Sequence, residues 1–353
     1  MTDVIPLLQP SVTQAEIDAV TAVLKSNWWG TGKVVEQFEH EMAERYGYRH
    51  CVAVNSATAA LHLSMIVLDI EPGDEVIVPA LTFVSTGLAP LYVGAKVVLA
   101  DIRADTLCIN WENASSLITS RTKAIIPVDY AGYLAVPHLD YLFSEISMVQ
   151  DAAHSCGSKG YGDLVCLSFH PVKNLATGDG GAILTNSDSY DDRLRSLRWC
   201  GIDRSTWERT KKRYGWDYNI TEIGYKCHWN DVQAAIGLAQ LHRLDDLNAK
   251  RRSIALRYIK ELDGLVELPV DMPGHTWHLF SIRVEHRDRL IDALLAQGVS
   301  AGVHYKPLNH YPMFSGDTPV TEREWQRLVT LPVFYDMTDE QQEKVIRIVR
   351  ENV

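Results

Sequence analysis

Between residues 51 and 186, short apolar runs at 51–54, 75–78, 96–100, 124–128, 146–150, 164–169 and 182–185 alternate with polar or helix-patterned stretches. Alternation of this kind predicts an α/β fold with a mostly parallel sheet covered on both faces by helices. Upstream, Thr13-Gln14-Ala15-Glu16 reads as a capping box, and Ile17, Val20, Val23 and Leu24 follow at helical spacing, predicting a helix to about Lys25. A second helix fits Val34, Phe38, Met42 and Tyr46. Between them, Asn27-Trp28-Trp29-Gly30-Thr31-Gly32 breaks both helices and carries two tryptophans too large to be left wet, a candidate site wall or subunit contact.

After Trp229-Asn230-Asp231, the apolar positions Val232, Ala235, Ile236, Ala239, Leu244 and Leu247 keep helical phase, predicting one long helix that leaves the first domain. Beyond it the pattern predicts a strand over 277–284, a helix over 287–297, a strand over 299–304 and a last helix capped by Thr338-Asp339-Glu340-Gln341. The expected organisation is a large domain over residues 1–235 and a smaller α+β domain over 236–353.

Composition narrows the class. The 353 residues, 46% of them hydrophobic, are enough for a sizeable core. Residues 1–10 lack a basic segment followed by an apolar run, and no window reaches the 18 or so apolar residues of a membrane span, so the expectation is a cytoplasmic protein with no membrane partner. Six cysteines without a CxxC pair predict reduced, mostly buried thiols. The net charge of −11 argues against nucleic-acid binding, although the basic cluster at 209–213 can be read as an anion contact or as a solvated loop.

The chemistry concentrates in Ser168-Phe169-His170-Pro171-Val172-Lys173-Asn174, closed by Gly178-Asp179-Gly180-Gly181. This sets Lys173 between a buried strand and a glycine turn, where an amine can bond covalently to an aldehyde. Asp151, in Asp151-Ala152-Ala153-His154, ends the preceding strand, and a carboxylate there can pair with a pyridinium nitrogen. Together they describe a site for pyridoxal 5′-phosphate (PLP), with Lys173 as the catalytic residue that also moves protons. Each residue has a plainer reading: Lys173 as a surface cation, Asp151 as a helix cap, His154 as a core histidine rather than a neighbour of the ring.

Asn55-Ser56-Ala57-Thr58 places hydroxyls and backbone amides at an expected helix start, so Ser56, Ala57 and Thr58 are candidates for holding the phosphate, with Ser168 adding a hydroxyl. Small residues also begin helices for packing alone. Phe83 can stack on the ring or belong to the core. The glycines at 178–181 precede a strand, whereas a dinucleotide fingerprint or a P-loop opens a helix. The thirteen histidines include no credited metal-ligand spacing, and no metal is expected.

These motifs resemble the DegT/DnrJ/EryC1/StrS family of sugar aminotransferases, a branch of the fold-type I PLP enzymes, over nearly the whole chain. The segments that carry the resemblance include Thr31-Gly32, Asn55 to His62, Gly73-Asp74-Glu75-Val76-Ile77-Val78-Pro79, Val93-Gly94-Ala95, Asp151-Ala152-Ala153-His154, Ser168 to Lys173, Asp231-Val232-Gln233-Ala234-Ala235 and His304-Tyr305. The resemblance implies a homodimer with shared active sites and glutamate as donor to a nucleotide-linked keto sugar. His154 and the Ser-Phe-His-Pro form of the lysine motif resemble enzymes that aminate C4 of a 4-keto-6-deoxy sugar or a 4-keto pentose. Alternatives are a C3 keto-sugar or cyclitol aminotransferase, or a binding protein on a retired scaffold. The family's 3-dehydratases carry histidine where this chain has Lys173.

The resemblance places Thr31, His304 and Tyr305 beside the substrate. It places Lys226 and His228 where the family often uses asparagine to reach the partner subunit's phosphate. Asp129 and Asn309 stand where histidine is common, and residues 157–163 form a shorter stretch than usual. Residues 201–213, with Arg204, Arg209, Lys211, Lys212 and Arg213, are either a diphosphate contact or a surface loop.

Overall fold

Each of the seven apolar runs forms a strand: β1 (His50–Val54), β2 (Glu75–Pro79), β3 (Lys96–Ala100), β4 (Thr122–Ile125), β5 (Ser147–Asp151), β6 (Leu164–Ser168) and β7 (Gly181–Thr185). The computed structural model describes residues 4–136, 145–202 and 216–353. The strands join in the order β1-β7-β6-β5-β4-β2-β3; β7 is antiparallel to both neighbours and every other adjacent pair is parallel. The run expected over 124–128 stops at Ile125. Pro127 has no N–H to give the ladder, and Val128 keeps only an isolated bridge to Asp151.

Alternate strand residues feed two cores, as a period of two requires. Val52, Val54, Val76 and Val78 pack with Leu61, Leu63 and Met65 of α3 (Ala57–Val67) on one face. Ala53, Val165 and Leu167 pack on the other face with Phe38 and Met42 of the helix Lys33–Tyr46 and with Leu241 and Leu244 of the long helix Asp231–Leu262. The first helix, Gln14–Ser26, has the expected capping box at Thr13 and Glu16.

The long helix carries the chain into a further core, where Ile254, Ala255, Tyr258 and Leu262 meet Phe280, Ile282, Val329 and Leu331, joined by Ile5 from the opposite end of the sequence. That core is built on the antiparallel strands Phe280–Arg283 and Leu328–Leu331 with the helices Arg287–Ala296 and Asp339–Asn352, while Val320 of the helix Pro319–Arg327 packs against a separate cluster. The strand expected over 277–284 is thus confined to its last part. The strand expected over 299–304 does not form. Its residues turn between two partners, Val299 bridging Ile5 and Gly302 bridging Thr330, and Gly302 offers no side chain to hold a ladder. The helix Pro319–Arg327 and the strand after it were not anticipated, four apolar residues directly after a helix giving too short a signal. We propose two units that share the long helix, divided near residue 235.

Among the described residues no helix is long and apolar enough to cross a membrane. Cys51, Cys108, Cys156 and Cys166 are buried and unbridged, Cys227 is half-buried, and Cys200 is exposed.

Candidate active site

Because only β7 runs against the rest, the carboxyl ends of β1, β5 and β6 and the start of β7 lie along one edge of the sheet. Gly181 pairs with Val54 on one side and Ser168 on the other, and Asp151 pairs with Cys166. That register gathers Ser56, Asp151, Ser168 and Gly181 where an open α/β sheet binds its ligands. Gly181 is held to glycine by this crowding, since a β-carbon there would lie 2.5 Å from the Ser56 carbonyl carbon and 2.7 Å from the Ala57 nitrogen.

Lys173 follows in a turn closed by its own N–H to the His170 carbonyl at 2.8 Å. Its Nζ lies 3.3 Å from His278 Nε2. Burial lowers the lysine to about 8, opposed by the attraction of Asp151 and reinforced by the Arg251 guanidinium. Asp151 is buried and accepts from the Thr86 hydroxyl at 2.8 Å and the Ala153 amide at 3.2 Å. Burial raises its pKa against these bonds and against Lys173. A buried carboxylate with a raised affinity for protons, beside a half-buried amine with a lowered one, is the electrostatic pattern of a reaction centre.

His154 is buried above this pair. The Ala131 amide donates to its Nδ1 at 3.2 Å, which leaves the ring proton on Nε2, 3.0 Å from the Tyr305 hydroxyl. Burial, then Lys173 and His304, push its pKa well below the ordinary histidine value, so the ring is neutral. His304 is held by Thr330 at 3.0 Å through Nδ1 and lowered to about 4, chiefly by burial. Tyr305 lies with its ring centre 5.6 Å from that of Phe83, which is 53% exposed and so remains open to a partner. The structure therefore brings Lys173, Asp151, His154, His304, Tyr305 and Phe83 together.

Ser56 caps α3, its Oγ accepting from the Ala59 amide at 3.1 Å and its carbonyl from the Ala60 amide at 3.0 Å. The first-turn amides of Ala57 and Thr58 have no acceptor within the helix, as at any helix start. Thr58 Oγ1 contacts Ser85 Oγ at 2.7 Å. Ser168 is buried directly opposite Gly181. These groups form a cradle for an anion at the end of β1.

Thr31 stands one layer away. Its hydroxyl donates to the Trp229 carbonyl, and Trp229 Nε1 donates to the Asp179 carbonyl at 3.2 Å, so the 28–32 loop braces the glycine turn after Lys173. Asp231 fixes the loop further, accepting from the amides of Gly32 at 2.8 Å and Val35 at 3.1 Å. Lys226 and His228 meet around Trp199 at the β1 edge: the ammonium lies 5.2 Å from the Trp199 ring, and the His228 and Trp199 ring centres are 4.0 Å apart. Burial, then Lys226 and Arg198, lower His228 to about 4, and its Nδ1 is buried without a partner among the described residues. Among the described residues no hydrogen bond ties either side chain to the Lys173 group. Asn309 donates to Glu322 at 2.7 Å. Arg204, Arg209, Lys211, Lys212 and Arg213 lie outside the described residues.

Asp129 is a support for the site. Its Oδ2 accepts from Ser155 Oγ at 2.6 Å and Gln150 Nε2 at 2.7 Å, and its Oδ1 from the Ala135 amide and the Tyr161 hydroxyl, each at 2.9 Å. Burial still raises it to about 6. The short 157–163 stretch supplies Tyr161, and so fills the space around this carboxylate rather than leaving a gap. Three residues escaped the sequence reading: Thr86, His278 and Arg251. Thr86 follows Phe83 by one helical turn, a signal visible only once Phe83 is placed at the site. His278 and Arg251 come from distant elements with no local mark.

The residues fit PLP: an amine for its aldehyde, a carboxylate for its nitrogen, an open aromatic face, and an anion cradle packed so tightly that Gly181 admits no β-carbon. This sheet with this edge defines a PLP-dependent aminotransferase of fold type I. The chain belongs to the DegT/DnrJ/EryC1/StrS aminotransferase family, which it matches over residues 10–350. Among solved structures it is similar to Spr1654 of Streptococcus pneumoniae, assigned as a sugar aminotransferase and seen in PMP, apo and PLP forms. The PMP form is 30% identical, with 98% of each chain covered and a TM-score of 0.90. DesV of S. venezuelae is 32% identical over 95% of this chain and 93% of its own, with a TM-score of 0.87. PseC of Helicobacter pylori, an aminotransferase involved in the biosynthesis of pseudoaminic acid, is 26% identical over 99% of both chains, with a TM-score of 0.92.

Proposed function

We propose that this transaminase moves an amino group from glutamate to a nucleotide-linked keto sugar, at C4 of a 4-keto-6-deoxy sugar, in the cytoplasm and as a homodimer. The observation that carries the reading is the neutral His154, whose Nε2–H reaches Tyr305 beside the Lys173 and Asp151 pair. This is the histidine that, with the Ser-Phe-His-Pro motif, distinguishes the C4 resemblance from the C3 one.

Bound PLP supplies an electron sink for the carbon that loses or gains a proton. Lys173 is the residue that would join the cofactor and carry that proton in both half-reactions. Its lowered pKa leaves about a tenth of it as free amine at pH 7. Asp151 would hold the ring nitrogen protonated. Ser56, Ala57, Thr58 and Ser168 would take the phosphate, Phe83 would lie on the ring, and His304 and Tyr305 would face the sugar side, with Thr31 bracing the glycine turn one layer behind them. Lys226 and His228 serve a phosphate across the dimer. Trp216, Ile220 and Ile223, 76%, 65% and 87% exposed, supply apolar surface on the same segment.

The test is an absorption spectrum of the PLP-loaded protein before and after L-glutamate, then with acceptors added. A visible band that glutamate bleaches, and that a nucleotide-linked 4-keto-6-deoxy sugar restores while its 3-keto isomer and an inosose do not, is the expected result. Restoration by the 3-keto sugar or the inosose instead overturns the C4 assignment, and a band indifferent to glutamate overturns the donor.

A further inference from the structure

The reactive lysine has a partner that neither the motif nor the proposed chemistry accounts for. His278 is 1% exposed, its Nε2 is 3.3 Å from Lys173 Nζ, and its ring centre is 4.4 Å from that of His154. Its Nδ1 is buried and has no hydrogen-bond partner among the described residues. An ammonium can only donate, so the tautomer that makes the Lys173 bond has a bare Nε2 and its proton on Nδ1, the atom left unpaired. A histidine kept only for packing would be expected to satisfy that nitrogen or to give way to an apolar residue.

The backbone around His278 is fixed from several sides. Trp277 takes a left-handed conformation, φ 51°, which a residue with a large side chain adopts only where its surroundings impose it. Thr276 donates its hydroxyl to the His154 carbonyl at 2.7 Å and its carbonyl accepts from Asn174 Nδ2 at 2.9 Å, tying the segment to the residue after Lys173. The Leu279 amide donates to the Ala131 carbonyl at 3.3 Å, and Gly132 leaves room for Thr276, where a β-carbon would lie 2.3 Å from its Oγ1.

We propose that His278 is the positioning residue for Lys173. An amine, like an ammonium, retains N–H groups, so Nε2 accepts one of them in both protonation states. The lysine is then held by one N–H while its other valences turn away from the imidazole, free for the aldehyde and for the migrating proton. The charged and titratable groups that face the pair are Asp151, Arg251, His154 and His304. Burial, followed by Lys173 and His154, keeps His278 neutral and able to accept.

The inference rests on Lys173 being the reactive lysine of the proposed reaction, so Lys173→Ala is run alongside. A Lys173→Ala variant that still turns over removes that reading, whatever His278 does. The test compares His278→Leu, His278→Gln and His278→Asn. In cofactor-free protein, the pH dependence of Lys173 acetylation by acetic anhydride, read by peptide mass spectrometry, gives the lysine's pKa without any substrate. In loaded protein, kcat and KM for glutamate are measured.

With the acceptor gone, the half-buried ammonium loses its partner and the His278→Leu lysine should titrate about one unit lower. Its kcat should fall about 100-fold with KM little changed, a loss of alignment rather than of binding. His278→Gln, whose carbonyl reaches the Nε2 level, should restore both. His278→Asn, which reaches only the Nδ1 level, should behave as the leucine variant and serves in its place if that one does not fold. A folded leucine or asparagine variant with the wild-type titration and kcat overturns the proposal. So does a glutamine variant that loses activity while its lysine titrates normally.

Discussion

At the scale of single residues, the site is a problem of where one proton sits. Lys173 is lowered to about 8 by burial, so the free-amine fraction rises about tenfold per unit of pH below that value and levels off above it. Incorporation of PLP into cofactor-free protein, followed by absorbance, should therefore speed up from pH 6 to 8 and flatten by pH 9. A rate independent of pH over that range would mean that the amine does not limit the step. Asp151 makes the complementary prediction. Asp151→Asn keeps an acceptor for the Thr86 hydroxyl and should fold, but it cannot hold a ring nitrogen protonated. Its kcat should fall by about 100-fold or more while PLP remains bound; wild-type turnover would remove Asp151 from the chemistry. Lys173, Asp151 and Ser168 could be read from the chain because a strand end or glycine turn marks each one locally. Thr86, His278 and Arg251 could not, since their only distinction is a neighbour far away in sequence. Asp129 shows the converse: it stood out as a departure from pattern, yet its four donors make it a buried brace under the β5 exit.

At the scale of elements, the anion cradle depends on how closely two strand ends approach a helix start. Val54, Gly181 and Ser168 lie side by side, and α3 begins three residues after Val54. Gly181→Ala would force a methyl to within 2.5 Å of the Ser56 backbone, so either β7 or the start of α3 must move. The variant should melt lower and bind PLP at least about tenfold more weakly, because overpacking and the displaced amides act together. Calorimetry and fluorescence titration measure the two effects, and unchanged affinity would show that the phosphate is held elsewhere. The same comparison explains which elements were legible. Seven buried runs became seven strands because a strand covered on both faces must be apolar throughout. The 299–304 run has similar residues but no continuous neighbour. Ile5 takes one end and Thr330 the other, so composition alone overstated it. The long helix was legible from its phase, whereas the way it serves both cores depends on contacts of its second half that phase does not specify.

At the scale of the whole molecule, the arrangement of Lys226 and His228 raises the question of which subunit they serve. Within their own chain they stack around Trp199 at the β1 edge, and the segment that carries them continues from Trp216, Ile220 and Ile223, which are largely exposed. Large apolar side chains left open beside a site are what a second copy of the chain would cover. If the two basic residues reach the partner's phosphate, each active site needs Lys173 from one subunit and Lys226 and His228 from the other. Neither Lys173→Ala nor the double variant Lys226→Ala with His228→Ala should then be active alone. Mixed after dissociation and reassembly, half the dimers would be hybrid and one of their two sites intact, so about a quarter of wild-type activity should return. If the residues act within their own subunit, each hybrid site lacks one required group and mixing restores nothing. The return of activity on mixing therefore distinguishes a shared site from two independent ones, and does so without assuming which sugar the enzyme aminates.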